Sequence, residues 1–153
     1  MSQAYGTVYV HLVFTTKNRE ALLSPSVHAE FAKYVAPILK DHRARFIAEG
    51  GMQDHVHLLI DLGRETSVAT ILREIKTKSS AWLRKKTGKH LSWQSGNAMF
   101  SVSPSELANV VKYIENQEKY HRHKTFQEEL EEMLKEAGVE YDPKQLMVED
   151  GRP

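Results

Sequence analysis

The chain has 153 residues, 41% apolar and 27% charged, with a net charge of +1 and no cysteine. That length suits one domain with its own core, and the composition excludes a disordered chain, a disulfide scaffold and a thiolate metal site. No apolar run nears the ~20 residues of a membrane span, and the first residues lack an export signal, so a cytoplasmic protein is expected.

Thr7 to Thr16 alternates, with Val8, Val10, Leu12 and Phe14 on one face and Tyr9, His11 and Val13 on the other, which predicts a strand. Ser24-Pro25 supplies an N-cap and a first helical residue. A helix to about His42 follows, with Phe31, Val35, Ile38 and Leu39 inward and a kink expected at Pro37. Arg45–Glu49 and His55–Asp61 read as two strands joined by Gly50-Gly51 as a turn or bulge. Thr66 or Ser67 then caps a long helix with the stripe Val68, Ile71, Leu72, Ile75, Ser79, Trp82 and Leu83, ended by Gly88. Ala98–Ser103 is a short fourth strand. One helix is expected from Pro104 to His121, and Thr125 with Glu128 forms a capping box for a last acidic helix that Gly138 closes. The order β-α-β-β-α-β-α implies an α+β fold: an antiparallel sheet with helices packed on one face, in a ferredoxin-like arrangement plus a C-terminal helix. Residues 1–138 form the single domain, and 139–153 are an acidic C-terminal tail.

Charge is unevenly spread. Arg73 to His90 holds seven Lys/Arg against one acid, whereas Phe126 to the end holds nine acids against three bases. The basic stretch reads either as a surface for polyanions or as a solvated helix face. Arg73, Lys76, Ser80 and Arg84 follow helical spacing on its outer side, and Lys17 and Arg19 follow the first strand.

Two groups carry chemistry. In Asp54-His55-Val56-His57-Leu58-Leu59-Ile60, the two histidines project from one strand face with Cα atoms about 6.6 Å apart. They can converge on one metal ion, although such a pair also arises by chance in a histidine-rich chain. On the third helix, Tyr113-Ile114-Glu115-Asn116-Gln117 puts a phenol and a carboxamide on one edge, beside the stripe Leu107, Val110, Val111 and Ile114. A tyrosine there also serves as ordinary packing. His11 reads as a satisfied neighbour of the pair, and His28, His42 and His90 as surface residues. Two imidazoles, an amide oxygen and a phenol beside a basic helix are the parts needed to break a phosphodiester; a non-catalytic single-strand-binding module and a metallohydrolase that activates water are the alternative readings.

In order along the chain, Val10-His11-Leu12-Val13-Phe14 with Thr16-Lys17-Asn18-Arg19, then Asp54 to Ile60, then Trp93-Gln94 with Phe100-Ser101-Val102-Ser103, then Tyr113 to Gln117 running into Lys124 to Leu130, resemble one family. It is the single-tyrosine transposases of the HUH (His-hydrophobe-His) nuclease superfamily, enzymes of minimal insertion sequences and their REP-associated relatives. One departure is visible: the family often has a His-His pair after the Asn-Gln, where this chain reads Tyr120-His121.

The resemblance implies that Tyr113 is the nucleophile, leaving a 5′-phosphotyrosine link and a free 3′-hydroxyl in single-stranded DNA. It also implies that His55, His57 and Gln117 hold one divalent cation, Mg²⁺ or Mn²⁺. The implied partners are hairpin-bearing single-stranded DNA and a second copy of the chain, with active sites shared across a homodimer. Lys17, Arg19, Arg73, Lys76 and Arg84 would grip DNA phosphates or a hairpin stem.

Overall fold

The computed structural model describes residues 3–146. The end of the expected acidic tail, 147–153, lies outside the described residues. Four strands, β1 (Tyr9–Thr15), β2 (Arg45–Met52), β3 (His55–Asp61) and β4 (Ala98–Val102), form one sheet in the order β2-β3-β1-β4. Every neighbouring pair is antiparallel. This is the split β-α-β order that the sequence implied.

The helices begin where side-chain oxygens can satisfy free backbone donors. In α1 (Pro25–Asp41), the Ser24 hydroxyl accepts from Val27 N–H, and the helix runs as one element through Pro37. In α2 (Val68–Thr87), Ser67 accepts from Thr70 N–H, and Gly88 ends the helix in the left-handed conformation, where glycine carries no Cβ penalty. In α5 (Phe126–Glu136), Thr125 and Glu128 form the expected capping box. Among the described residues no helix is long and apolar enough to cross a membrane.

Strand alternation divides the core in two. Val10, Leu12, Phe14, Val56, Leu58 and Ile60 point to one face and are covered by Phe31, Val35 and Leu39 of α1 and Ile71, Ile75 and Leu83 of α2. Each such side chain contributes about 1.5–3 kcal/mol on leaving water. The other face is also covered, so the layering is fuller than helices on a single face. Ile114 of α3 (Leu107–Glu115) packs on Ala48 and Leu59, while Phe126, Leu130 and Leu134 of α5 pack on Val13 and Ala98. Tyr141 and Leu146, in the segment expected as tail, pack against that second cluster.

Two local expectations are corrected. β2 does not stop at Glu49; it continues through both glycines, with Gly50 opposite His57 and Gly51 opposite Val56. The irregularity falls instead between Phe46 and Ala48. Gly50 is needed for close approach, since a Cβ there would sit 2.1 Å from the Ile114 carbonyl oxygen. The third helix is not continuous either: after a short 3-10 turn at Pro104–Glu106, α3 ends at Glu115 and α4 (Gln117–Tyr120) restarts beyond Asn116. Asn116 leaves helical geometry while its side-chain amide donates to the Lys112 carbonyl, competing with the backbone ladder.

Candidate active site

β3 sends His55 and His57 into the face under α3–α5, and both rings are buried. His55 donates from Nδ1 to Asp54 Oδ1 at 2.8 Å, and Asp54 Oδ2 is held by Arg19 Nε at 3.2 Å. This turns His55 Nε2 inward, 3.1 Å from Gln117 Oε1 and 3.5 Å from Glu129 Oε1. His121 repeats the pattern. Its Nδ1 donates to the Lys124 carbonyl at 2.8 Å, and its Nε2 lies 3.0 Å from Gln117 Oε1 and 3.2 Å from Glu129 Oε1. His57 places Nε2 3.1 Å from the same Glu129 oxygen and Nδ1 2.8 Å from His11 Nε2. One carboxylate oxygen is therefore shared by three imidazoles. The other, Oε2, accepts from Gln117 Nε2 at 2.9 Å and from the Tyr113 hydroxyl.

Burial and charge set the protonation of this cluster. Burial disfavours the Glu129 carboxylate, but hydrogen bonds with His121, His55 and His57 outweigh it and hold the carboxyl far below the usual range. For His55, burial pulls the pKa down, while Asp54 and Glu129 raise it above the ordinary value. Burial lowers His57, only partly offset by Glu129, and pushes His11 down to about 3 with His57 adding repulsion. Burial first, then the negative Glu129, raise the Tyr113 phenol well above its free value, so the hydroxyl keeps its proton at rest. Tyr120 is raised to about 12, by burial and then by Glu132, to which its hydroxyl donates at 3.3 Å. Its ring packs edge-on against Tyr113 at 5.2 Å, while Tyr113 itself meets the His57 ring at 5.6 Å.

The donor set fits a divalent cation. His55, His121 and Glu129 each offer one ligand atom, all within 4.8 Å of one another, and two of the histidines have Nδ1–H tied to an oxygen so that Nε2 is presented inward. Nitrogen and oxygen donors without thiolate suit Mn²⁺ and Mg²⁺.

The structure thus brings Tyr113, His55, His57 and Gln117 together within one chain. It does not bring Arg73, Lys76 or Arg84 there, because α2 lies behind the opposite face of the sheet. Arg73 is exposed, whereas Lys76 Nζ donates to the Gln94 and Gly96 carbonyls at 2.9 and 3.2 Å, and Arg84 Nε to the Leu91 carbonyl at 2.8 Å. These last two fasten the 91–96 loop to α2. Lys17 is exposed, and Arg19 lies near the site through Asp54.

Sequence reasoning missed Glu129, although an acid three residues after Phe126 and next to Leu130 falls inside the apolar stripe of α5. His28, expected at the surface, is buried, bonded to Glu49 Oε2 at 2.5 Å and to the Met52 carbonyl at 2.6 Å. The reason is that α1 lays its first turns along the end of β2.

Comparison with known proteins gives the site a context. Residues 4–117 match the protein family described as "Transposase IS200 like". The fold is similar to that of an inferred transposase from Deinococcus radiodurans R1, with a TM-score of 0.59 and 22% identity, covering 76% of this chain and 98% of that one. It is also similar to a REP-associated tyrosine transposase solved bound to a REP hairpin, with a TM-score of 0.57 and 15% identity, covering 98% of this chain and 96% of the other. No curated protein matches the sequence.

Proposed function

The chain belongs to the IS200-like transposase family, and from that premise we propose that it cuts and rejoins single-stranded DNA through Tyr113. The observation that carries the reading is the hydrogen bond from the Tyr113 hydroxyl to Glu129, whose other oxygen touches three imidazoles. Nucleophile and ligand cluster are one network inside one subunit.

His55, His57 and Gln117, with His121 and Glu129 as further donors, would hold Mn²⁺ or Mg²⁺, which supplies Lewis-acid stabilisation of charge on a phosphate. Tyr113 Oη forms the bond to phosphorus and passes its proton to Glu129 Oε2. A carboxylate held this low is a poor base at rest, so proton transfer accompanies bond formation rather than preceding it. The P–O3′ bond breaks, and O3′ leaves with a proton from water. The products are a 5′-phosphotyrosine and a strand with a free 3′-hydroxyl. The link conserves the phosphodiester, so reversal on another end joins DNA without a nucleotide cofactor.

The DNA partner is a hairpin-bearing single strand, met in the cytoplasm. Arg73 on the far face, with Lys17 and Arg19 nearer the site, contacts its phosphates and gives salt-dependent affinity, with Lys76 and Arg84 adding charge while they hold the loop. A homodimer is compatible with this reading, but sharing between subunits is not needed to assemble the site.

The test is labelled single-stranded hairpin DNA mixed with protein and Mn²⁺ or Mg²⁺, then run on a denaturing gel. A covalent adduct is expected with the unaltered protein and Tyr120→Phe, and none with Tyr113→Phe or with chelator. Binding without adduct would favour a non-catalytic module; cleavage that survives Tyr113→Phe would favour a phosphodiesterase using activated water.

A further inference from the structure

Three openings reach the ligand cluster, and their chemistry differs; the one beside Gly50 and Gln117, of about 480 Å³, is walled by Glu49, Glu115 and Glu118 with no lysine or arginine. Of the other two, the first, a cavity of about 470 Å³, holds Tyr113 and is walled by Phe100, Met133, Glu129, Glu132 and Glu136, with no lysine or arginine. The second, of about 450 Å³, opens onto His55 and His121 and is walled by Arg19, Arg122, His123 and Lys124. It also contains Asp54 and Glu128, but both are spent: Asp54 on Arg19 and His55, Glu128 on the Thr125 cap. Lys124 is paired with Glu132. Arg122 and His123 are exposed and make no side-chain hydrogen bond or ion pair within the described chain. The rings run in order from the first of these to the second: Tyr113 lies 5.6 Å from His57, His57 5.1 Å from His55, and His55 5.0 Å from His121.

Phosphoryl transfer places attacking and leaving oxygens on opposite sides of phosphorus. With the phenol entering from the acidic cavity, the leaving oxygen departs away from it, and of the two remaining openings only the one at His55 and His121 is walled by cations. From this we infer that the Arg19–Arg122–His123 pocket is the holding site for the strand that ends in the new 3′-hydroxyl, fixing the polarity of DNA across the site. The inference rests on the proposed role of Tyr113. Its chemistry is phosphate recognition: an unpaired guanidinium at Arg122, with Arg19 beside it bonded to Asp54 through Nε alone, offers fork-shaped donors to backbone phosphates. In the opposite cavity Glu132 is paired with Lys124 and Glu129 belongs to the ligand cluster, so no cation is offered to successive phosphates there, and Phe100 and Met133 leave room for a base. Held in this pocket, the 3′-hydroxyl stays positioned for the rejoining step instead of diffusing away.

Photocrosslinking locates each strand end without requiring turnover. The probes are two oligothymidylate 12-mers with Mn²⁺ and the full chain: one carries 4-thiothymidine at its free 3′-hydroxyl end, the other at a 5′-phosphorylated end. The 3′ probe is expected to label residues 121–124 and the region of Arg19, and the 5′ probe residues 98–102 and 132–137. Arg122→Glu should lower the yield of the 3′ probe about tenfold and spare the 5′ probe, the size expected for one lost charge-assisted contact. Arg122→Lys, which keeps the charge, should recover part of it. Reversed labelling, identical labelling from both ends, or no labelling at 121–124 overturns the inference. If the hairpin substrate gives no tyrosine adduct while the labelling polarity holds, the chemistry of Tyr113 fails and the strand-binding pocket stands. Adduct with reversed labelling sinks the pocket alone.

Discussion

The two faces of one sheet are built from the same three or four strands and put to opposite uses. Under α1 and α2, Leu12, Phe14, Leu58 and Ile60 make a face of hydrocarbon alone. On the opposite side of the pleat, the same strands present His11, His55 and His57, also buried, against a glutamate and a glutamine. Burying these polar groups costs free energy unless every donor and acceptor is matched. The matching is dense around Glu129, and it is the apolar face that lets the fold carry it. Stability and chemistry are thus separated by strand alternation, which is a claim that substitutions can break.

The largest effect concerns where the tyrosine comes from. An equimolar mixture of Tyr113→Phe and His57→Ala proteins should form no adduct, because the phenol and the histidines of one cluster lie in one chain; recovery of adduct in the gel would mean that subunits exchange tyrosines. Next, Leu58→Ala on the hydrocarbon face should cost about 3 kcal/mol in denaturant unfolding, with Mn²⁺ affinity of the remaining folded protein unchanged. On the other face, Glu129→Gln should weaken Mn²⁺ binding by about 10- to 100-fold in calorimetry, since it removes a candidate ligand and the partner of three imidazoles. Equal loss of metal affinity in both variants would dissolve the distinction between faces.

The last effect is in the pH dependence of stability. His11 is held neutral in the folded chain, with a pKa of about 3, against its ordinary value near 6.5. As pH falls from about 6.5 toward 3, the unfolded chain takes up a proton that the folded chain refuses, so this stabilisation is present above 6.5 and lost on acidification. His11→Asn should flatten the unfolding-versus-pH slope in that window by up to ~1.4 kcal/mol per pH unit. An unchanged slope would show that His11 protonates in the folded state.

Much of this was readable locally. Ser24-Pro25, Ser67, Gly88 and the Thr125–Glu128 box bounded helices because capping is decided within four residues. The His-x-His face followed from strand alternation, whereas Tyr113 and Gln117, expected on one helix, lie on two and meet at Glu129. What escaped depends on contacts distant in sequence. His28 looks like a surface residue until β2 brings Glu49 to it, and Gly50-Gly51 looks like a turn until α3 arrives to occupy the missing Cβ. Glu129 reads as one acid among several on an acidic helix; only its place in the apolar stripe hinted that it faces inward. The helix break at Asn116 has no apolar-pattern signature, because the residues just beyond it, Gln117–Tyr120, carry no aliphatic side chain that could show a change of phase.

The Gly50 contact has a consequence for how this protein can vary. A strand and a helix backbone touch there with no side chain between them, so main-chain atoms fix the closest approach of the tyrosine-bearing helix to the histidine-bearing sheet, with Ile114 packed on Ala48 and Leu59 beside it. A single methyl group at position 50 acts as a wedge at the fulcrum, tilting the whole reactive edge at once.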